Sequence, residues 1–554
     1  MTSLGKYMSP RNALLPFSLT RRNLLGTLSA GAVLACAGTA VRAQEAPPPE
    51  PDQTPPEAEP APATTGQQPF SFDTLSATMR DTASKQPQTS TLPDSFLTRL
   101  NYDDYRLIRF NPDRARFADT EHSRFRLQAF HMGWLFKEPV LLYEVANGQA
   151  WLLGFDTDDF IYERQARDIV PEHEALPGVA GFRLHTPLNR PDVFDELVAF
   201  QGASYFRALG RNSTYGLSAR GLAINTGLPV AEEFPRFTKF WIQRPEPGSQ
   251  TLVVWAAMES TSLTGAYQFV ITPGQETIMD VTARLYFRAD VQQLGIAPLT
   301  SMFLYGDRNR ARFDDFRPKV HDSDGLGILR DDGERLWRPL SNPTRLASSY
   351  LVEENPRAFG LYQRDRDFDH YQDASAVYER RPSCVVEPLG DWGKGTVRLV
   401  EIPSDLEVND NIVAFWVPDT QAKAGTDMEF RYRLRWGDLM PDPNANRAHI
   451  VASRAGLGGV SGTPNTDGSR KFVIDFAGGM IGRLPASAAD QLSIVATASQ
   501  GEISTQVLHY VPESKVWRLI LDVRPTGNVV ELSAHIAGYD QKLTETWLYQ
   551  WINA

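Results

Sequence analysis

The sequence predicts a mainly β protein built from a large β-sandwich domain followed by a small immunoglobulin-like sandwich. Short runs rich in β-branched and aromatic residues recur along the chain and are bounded by Gly, Pro, Asn and Asp. Stretches with sustained helical periodicity are scarce. The 554 residues, 42% of them hydrophobic and 22% charged, suffice for two or three domains with a sizeable core. Clear examples of the runs are "QTLVVWAAM", "AYQFVITP", "TVRLVEIP" and "NIVAFWVP".

The first 43 residues predict a twin-arginine export signal. Arg21 and Arg22 precede a mildly apolar stretch that ends at the small-residue cleavage site "VRA". An alternative cut at "VLAC", before Cys36, would instead give a lipoprotein. Beyond residue 43 no apolar run approaches the roughly 20 residues that span a bilayer, so we expect a soluble mature chain without a transmembrane segment.

Charge and cysteine content narrow the function class. The first 43 residues carry five basic and no acidic side chains, so their removal changes the formal net charge from −11 to −16. A folded body this acidic is a poor nucleic-acid binder. Cleavage after residue 43 would leave Cys384 as the single cysteine, which excludes an intrachain disulfide. We therefore expect the fold to be held by its core.

A proline-rich and acidic segment follows the signal. Residues 44–68, "QEAPPPEPDQTPPEAEPAPATTGQQ", contain no large apolar side chain that could be buried. This composition predicts an extended, disordered linker. Folded structure is expected from residue 69.

Two folded domains are predicted, over residues 69–418 and 426–554. The best helical candidate of the first is "PDVFDELVAFQGASYF", which is interrupted at Gly202. The second opens with "MEFRYRLRW", whose apolar and charged side chains alternate strictly, as in a half-buried strand. Four further strand-like runs complete a block of roughly 130 residues, the size of an immunoglobulin-like sandwich.

Common catalytic and metal-binding motifs are missing or incomplete. The sequence lacks CxxC and HExxH, and "GLSAR" is a nucleophile elbow without its last glycine. In "HDSDG" the glycine comes too early for a calcium loop, so the pattern alone favours a turn, and no metal is expected. The alternating charges of "RDRDFDHYQD" favour a solvated strand edge.

Ten sequence blocks together resemble a known family. They run in order from residue 202 to 551 and are typical of the glucans biosynthesis protein D/G family of Gram-negative bacteria. The twin-arginine signal resembles the D branch, because the G branch typically uses an ordinary secretory signal. The blocks are "GASYFRALGRNSTYGLSARGLAINTG", "EEFPRFTKFW", "LTGAYQF", "QLGIAPLTSMF", "VHDSDGLG", "NPRAFGLYQRDRDFDHYQD", "RRPS", "WGKGTVRLVEIP", "DNIVAFWVP" and "TETWLYQW".

The resemblance implies a periplasmic protein that acts on osmoregulated periplasmic glucans, whose backbone is β-1,2-linked glucose. It implies a galactose-mutarotase-like β-sandwich followed by an immunoglobulin-like domain. The expected partners are linear β-1,2-glucan and membrane-bound enzymes of glucan synthesis and modification, and no cofactor is expected. The family is also similar to anomer-inverting endo-β-1,2-glucanases, and some relatives are transglycosylases that close glucan rings.

Three positions match functional positions of the family. Asp322 in "HDSD" is the general-base candidate, Asp410 in "NDNIVAFW" is the general-acid candidate, and Tyr378 in "SAVYERRPS" matches a sugar contact. An inverting glycosidase needs one carboxylic acid for the leaving oxygen and a second group that takes a proton from the attacking water. The resemblance implies that the water's proton reaches the base along a relay rather than directly. A wide spacing of the two carboxylates would therefore not exclude the pair.

Each of these assignments has a structural alternative. Asn409-Asp410-Asn411 is by itself typical of a turn, and Tyr378 could be a packed aromatic whose hydroxyl is tied to the backbone. If Asp410 is the acid it must keep its proton at neutral pH, and we expect apolar side chains after it, such as Ile412 and Trp416, to provide a wall that favours this state.

The chain departs from the family pattern at two places. Cys384-Val385 stands where Leu-Trp is expected, and "SRAGLGGVSGTPNTDGSRKF" is shorter and less aromatic than the D-branch loop that covers the cleft. A looser cover would admit water. Two alternatives to hydrolysis therefore stay open, namely a transglycosylase that forms cyclic glucans and a non-catalytic glucan-binding factor. An unrelated β-sandwich lectin is a further alternative.

Overall fold

The computed structural model describes residues 66–87, 92, 94–460 and 462–553. The expected export signal, the lipoprotein cysteine and nearly all of the expected linker lie outside these residues. Within the described part strands predominate, which confirms the mainly β prediction. None of the helices in the described ranges is long and apolar enough to cross a bilayer.

The described strands are numbered here in chain order. Those of the first sandwich and its loops are β1 (Gln68–Pro69), β2 (Ile108–Phe110), β3 (Arg126–Phe130), β4 (Leu141–Ala146), β5 (Gln149–Leu152), β6 (Phe160–Tyr162), β7 (Gly181–Thr186), β8 (Asp195–Gln201), β9 (Tyr205–Ala208), β10 (Ser218–Arg220), β11 (Leu222–Ile224), β12 (Arg236–Gln243), β13 (Leu252–Glu259), β14 (Leu263–Thr272), β15 (Thr277–Phe287), β16 (Leu294–Ser301), β17 (Phe303–Tyr305), β18 (Val320–His321), β19 (Gly325–Leu329), β20 (Arg335–Pro339), β21 (Ala347–Glu354), β22 (Ala358–Tyr362), β23 (Ser383–Pro388), β24 (Lys394–Glu401), β25 (Ile412–Pro418) and β26 (Asp427–Gly437). Those that follow are β27 (His449–Leu457), β28 (Arg470–Ala477), β29 (Leu492–Ala498), β30 (Gly501–Val511), β31 (Val516–Pro525), β32 (Val529–Gly538), β33 (Gln541–Lys542) and β34 (Thr546–Ile552).

Helices are few and short in the described residues. The α-helices are α1 (Phe72–Ala83), α2 (Phe96–Arg99), α3 (Tyr102–Tyr105) and α4 (Ala166–Ile169). The 3-10 helices are Pro112–Arg114, Thr157–Asp159, Arg310–Arg312, Phe368–His370, Tyr378–Arg380, Ile481–Arg483 and Ala486–Gln491.

Two large sheets form the first sandwich. The first has the spatial order β1-β5-β4-β12-β13-β14-β15-β26-β23-β22-β19-β20-β34-β32-β29, and the second has the order β21-β24-β25-β16-β10-β9-β8-β7-β3. Their inner faces share one core, in which Phe182 meets Phe240 at a ring-centroid distance of 5.0 Å and Phe200 meets Phe269 at 5.2 Å. Burial of these large rings supplies much of the driving force for stacking the sheets.

The small domain is a sandwich with a core of its own. A four-stranded sheet, β27-β28-β31-β30, packs against β34, β32 and β29. The first sheet runs continuously from one domain into the other, because β34 pairs in parallel with β20 at Trp337 and Trp547. Trp337 also packs into the core of the small domain. The two domains are therefore joined by backbone pairing and by shared core packing.

The strand β26 was correctly predicted from its alternating pattern but was assigned to the wrong domain. It lies between β15 and β23 of the first sheet, and the strands of the small sandwich begin only with β27. Its outward arginines pair with acids on β15 and on the preceding segment, at 2.7 Å for Arg433 to Asp280 and 2.6 Å for Arg435 to Glu276. A pattern within one strand does not specify which neighbours it pairs with.

The helix predicted for "PDVFDELVAFQGASYF" is wrong. This stretch forms the hairpin of β8 and β9, with Gly202 at φ 73° in the connecting turn. Short apolar runs fit both helix and strand, and pairing of β8 with β7 decides the outcome. The side chains of Leu197, Val198 and Phe200 are then buried in the core.

The segment "RDRDFDHYQD" is not a solvated strand edge. Residues 363–367 form an irregular loop that leads into the 3-10 helix Phe368–His370. The side chain of Arg364 is only 11% exposed, and Asp365 lies 2.8 Å from Lys319. Arg364 and Asp365 are paired with Glu545 and Lys319, which come from distant parts of the chain.

Candidate functional site

The 301–303 segment, which joins β16 to β17, lies between the chain segments that carry the two candidate aspartates. On one side Ser301 pairs with Ile412, two residues after Asp410. On the other side Phe303 pairs with His321, the residue before Asp322. The two aspartates are far apart in sequence. Asp322 directly follows β18, and Asp410 stands two residues before β25.

The Asp322 segment is fixed to the 301–303 segment by two further hydrogen bonds. The Asp322 N–H donates to the Met302 carbonyl at 2.8 Å, and the Ser301 hydroxyl donates to Ser323 Oγ at 2.8 Å. The rings of Phe303 and His321 stack at a centroid distance of 5.1 Å. The segment is thus packed and hydrogen-bonded, with a bend at Asp322 between β18 and β19.

Asn411 holds the other aspartate's segment. Its Oδ1 accepts from the Phe303 N–H at 2.8 Å, and its Nδ2 donates to the carbonyls of Phe303 and Ile402, each at 3.0 Å. Asn411 is 2% exposed. Because the side-chain amide of Asn411 accepts one hydrogen bond and donates two, it fixes the backbone next to Asp410, just before β25 begins.

A guanidinium lies beside each candidate. Arg207 Nη2 is 3.8 Å from Asp410 Oδ2, and Arg381 Nε is 3.6 Å from Asp322 Oδ1. Both aspartates are buried, at 7% and 2% exposure. Arg207 is itself fixed, because its Nε donates to Ser218 Oγ at 3.1 Å. Cationic neighbours in a buried site compensate for the lost hydration of a carboxylate.

The surroundings of the Asp410 carboxylate differ from the apolar wall that the sequence predicted. Ile412 and Trp416 point into the core between the two sheets, whereas Arg207 and Tyr205 lie near the Asp410 side chain. Burial raises the pKa of Tyr205 to about 12, and the charge of Asp410 acts in the same direction. The surroundings of Asp410 are therefore more polar than the sequence suggested.

Gly216 provides the space that Arg381 occupies. A Cβ added at Gly216 would lie 3.0 Å from Arg381 Cβ and 3.1 Å from Arg381 Cδ. Arg381 Nε also donates to the Ala376 carbonyl at 3.0 Å. Gly216, the first residue of the incomplete nucleophile elbow, is thus a packing partner of Arg381.

Tyr378 is fully buried, and its hydroxyl donates to the carboxylate of Glu407. Glu407 also accepts from Arg317 Nη2 at 2.9 Å, and Arg317 contacts Asp373 at 2.8 Å. These bonds tie together the loop before β18, the loop before β23 and the loop that carries Asp410. A contact of Tyr378 with sugar stays a prediction.

His321, next to Asp322, is a structural histidine. Burial lowers its pKa to about 4, so the ring is neutral at neutral pH. Its Nδ1 lies 3.0 Å from Gln363 Oε1, and Gln363 Nε2 donates to the carbonyls of His321 and Tyr378 at 3.0 and 3.1 Å. Gln363 thereby connects the segments of Asp322 and Tyr378.

Four site residues were not singled out from the sequence, namely Arg207, Arg381, Glu407 and Arg317. The first two lie inside family-like blocks, "GASYFRALGRNSTYGLSARGLAINTG" and "RRPS", and Glu407 stands three residues before Asp410. Arginine is common on protein surfaces, so its sequence position alone gives no signal. Within the described ranges no three His, Cys, Asp or Glu side chains are grouped to hold a metal ion.

Comparison with known proteins identifies the family. Residues 70–551 match the family described as "Periplasmic glucan biosynthesis protein, MdoG". The chain belongs to this family. The match spans both sandwiches and includes all three predicted site residues.

Named relatives of the family cover most of the chain. Glucans biosynthesis protein G of Cereibacter sphaeroides is 57% identical over 97% of this chain and 98% of its own length. Glucans biosynthesis protein D 1 of Ralstonia nicotianae is 45% identical over 82% of this chain and 86% of its own length. The resemblance to the D/G family is thus confirmed. Both branch names occur, and the relative at 57% identity has the G name, whereas the sequence interpretation favoured the D branch.

Proposed function

We propose that the protein is exported to the periplasm through its twin-arginine signal and cleaves the backbone of linear β-1,2-glucan with inversion of the anomeric carbon. The single observation that carries the proposal is that the segments of two buried aspartates, Asp322 and Asp410, both lie against residues 301–303. Two carboxyl groups at one site are what inverting glycosidases require. The family membership supplies the glucan as the substrate class.

In the proposed reaction Asp410 is the general acid. Its proton moves to the glycosidic oxygen while the bond from that oxygen to the anomeric carbon breaks. Arg207, at 3.8 Å, then faces the carboxylate that remains and stabilises its negative charge. A water molecule attacks the anomeric carbon from the opposite face of the sugar ring.

Asp322 is the proposed general base. It accepts the proton that the attacking water loses, directly or along a relay of hydroxyl groups. Arg381, at 3.6 Å, orients this carboxylate between turnovers. The hydrogen bonds of the Asp322 segment to Met302 and Ser301 fix the base in place, which is how a preorganised site lowers the barrier.

The test is mass spectrometry of linear β-1,2-glucan incubated with the purified mature protein and with an Asp410→Asn variant. Shorter linear products from the wild type alone would support hydrolysis. Rings, which are 18 Da lighter than the corresponding linear products because no water is added, would indicate a transglycosylase. Unchanged glucan with retained binding would contradict cleavage and favour the non-catalytic binding factor.

A further inference from the structure

Arg364 connects the first sandwich to the small domain through a buried ion pair. Its Nη1 and Nη2 donate to Glu545 Oε2 and Oε1 at 2.8 and 2.9 Å. Nη1 also donates to the Ile450 carbonyl at 3.2 Å, and Glu545 Oε2 accepts from the Ile450 N–H at 3.1 Å. The guanidinium carbon lies 3.6 Å from the ring centroid of Trp337. The side chain of Arg364 is thus held by Ile450 on β27, by Glu545 just before β34 and by Trp337 on β20.

The backbone of the same residue holds the Asp322 segment. Asp324 Oδ2 accepts from the N–H groups of Arg364 and Asp365, at 3.0 and 3.2 Å. The Asp324 N–H donates to the Tyr362 carbonyl at 2.7 Å. Since Asp324 stands two residues after Asp322, the chain at residues 362–365 fixes the downstream end of the base segment.

The ion pair lies beside two openings in the structure. A groove of about 800 Å³ and a second cavity of about 270 Å³ both have Arg364 and His449 in their walls. The side chains of Arg364 and Glu545 are nevertheless only 11% and 4% exposed. Removal of one partner of such a pair leaves a charge buried without its counter-ion, which is strongly unfavourable.

Electrostatics favour the paired state. Burial by itself raises the pKa of the Glu545 carboxyl, yet the charge and hydrogen bonds of Arg364 lower it below its ordinary value overall. The pair is therefore charged at neutral pH.

We propose that Arg364 is a positioning residue through which the small domain holds residues 321–324, and with them Asp322, in place. The catalytic part of this inference rests on the proposed function. The structural part, which is the coupling of the small domain to the base segment, does not.

The experiment compares wild type with Glu545→Gln and Arg364→Lys by hydrogen exchange and by turnover of linear β-1,2-glucan. Glu545→Gln keeps the shape of the side chain but removes its charge. Arg364→Lys keeps the positive charge but loses the bidentate hydrogen bonding to Glu545. Glu502→Gln is the matched control, because it removes the carboxylate of an exposed ion pair with Arg524 in the same domain.

We expect Glu545→Gln to speed amide exchange about tenfold in the peptide covering residues 320–325, with unchanged exchange in the β28 and β31 core peptides. Turnover should fall by about tenfold or more with KM within about twofold, because misplacement of a catalytic group acts mainly on kcat. Arg364→Lys should give a smaller change of the same kind, and Glu502→Gln should match wild type.

Two results would overturn the inference. One is exchange at residues 320–325 that stays at the wild-type rate in both variants. The other is faster exchange with wild-type kcat, which would show that the coupling does not position the base. Faster exchange in a protein whose wild type leaves glucan uncleaved would support the coupling and contradict the proposed function instead.

Discussion

The guanidinium of Arg207 lies 3.8 Å from the carboxylate of Asp410, the proposed general acid. A general acid must hold its proton until the leaving oxygen accepts it, while a nearby cation favours the ionised form. The arrangement therefore suits the state after proton transfer, when the carboxylate has just formed. In the proposed reaction, Arg207 would stabilise the charge that develops on the acid.

Replacement of Arg207 by Met should move the alkaline limb of the pH profile of kcat/KM to higher pH. Without the cation, the Asp410 carboxyl keeps its proton over a wider pH range. The maximum rate should fall about tenfold, because the developing carboxylate loses a stabilising neighbour. The measurement is glucan cleavage from pH 4 to about 9. Arg106→Met, at a half-exposed arginine paired with Asp103, is the control and should leave the profile unchanged.

Replacement of Asp322 by Asn should reduce kcat by about 100-fold or more while the protein stays folded, since general base catalysis contributes about this much. The amide keeps the size of the side chain but cannot take a proton at neutral pH. Steady-state kinetics and a thermal unfolding curve check this prediction. A variant with wild-type turnover would exclude Asp322 as the base and return the segment to a structural role.

Replacement of Gly216 by Ala should lower turnover about tenfold, although Gly216 is not proposed to touch substrate. The new Cβ would approach Arg381 to 3.0 Å, so the arginine must shift away from its position beside Asp322. Gly154→Ala is a matched control, because no heavy atom beyond its chain neighbours lies within 4 Å of the added Cβ. Equal activity of the two variants would contradict a role for the Arg381 position.

The stability of the protein should decrease as the pH falls from about 6.5 towards 4, in part because of His321. Burial lowers the pKa of this ring from 6.5 to about 4 in the folded protein. In that window the unfolded chain takes up a proton that the folded chain does not, so acid favours unfolding. Urea unfolding at several pH values should show a flatter dependence for His321→Gln. The exposed His122→Gln variant should keep the wild-type slope.

Much of the fold was predictable from local patterns. The alternation of "MEFRYRLRW" correctly gave a strand with Tyr432, Leu434 and Trp436 buried. It could not give the domain, because the same alternation fits any sheet with one buried face. The stretch that forms β8 and β9 was wrongly predicted as helical. Its short apolar runs fit both the period of a helix and that of a strand, and pairing of β8 with β7 decides between the two.

The sequence by itself determined the family, the mainly β class and the identity of the candidate aspartates, because residue order and type are sufficient for these. Only the tertiary structure decided what surrounds them. The segments of Asp322 and Asp410 lie against the same stretch of chain because β16 pairs with β25 and β17 pairs with β18. The arginines beside the two aspartates come from β9 and from the residue after the 3-10 helix Tyr378–Arg380. Contacts between residues so far apart in sequence depend on which strands pair, and no local pattern encodes that choice.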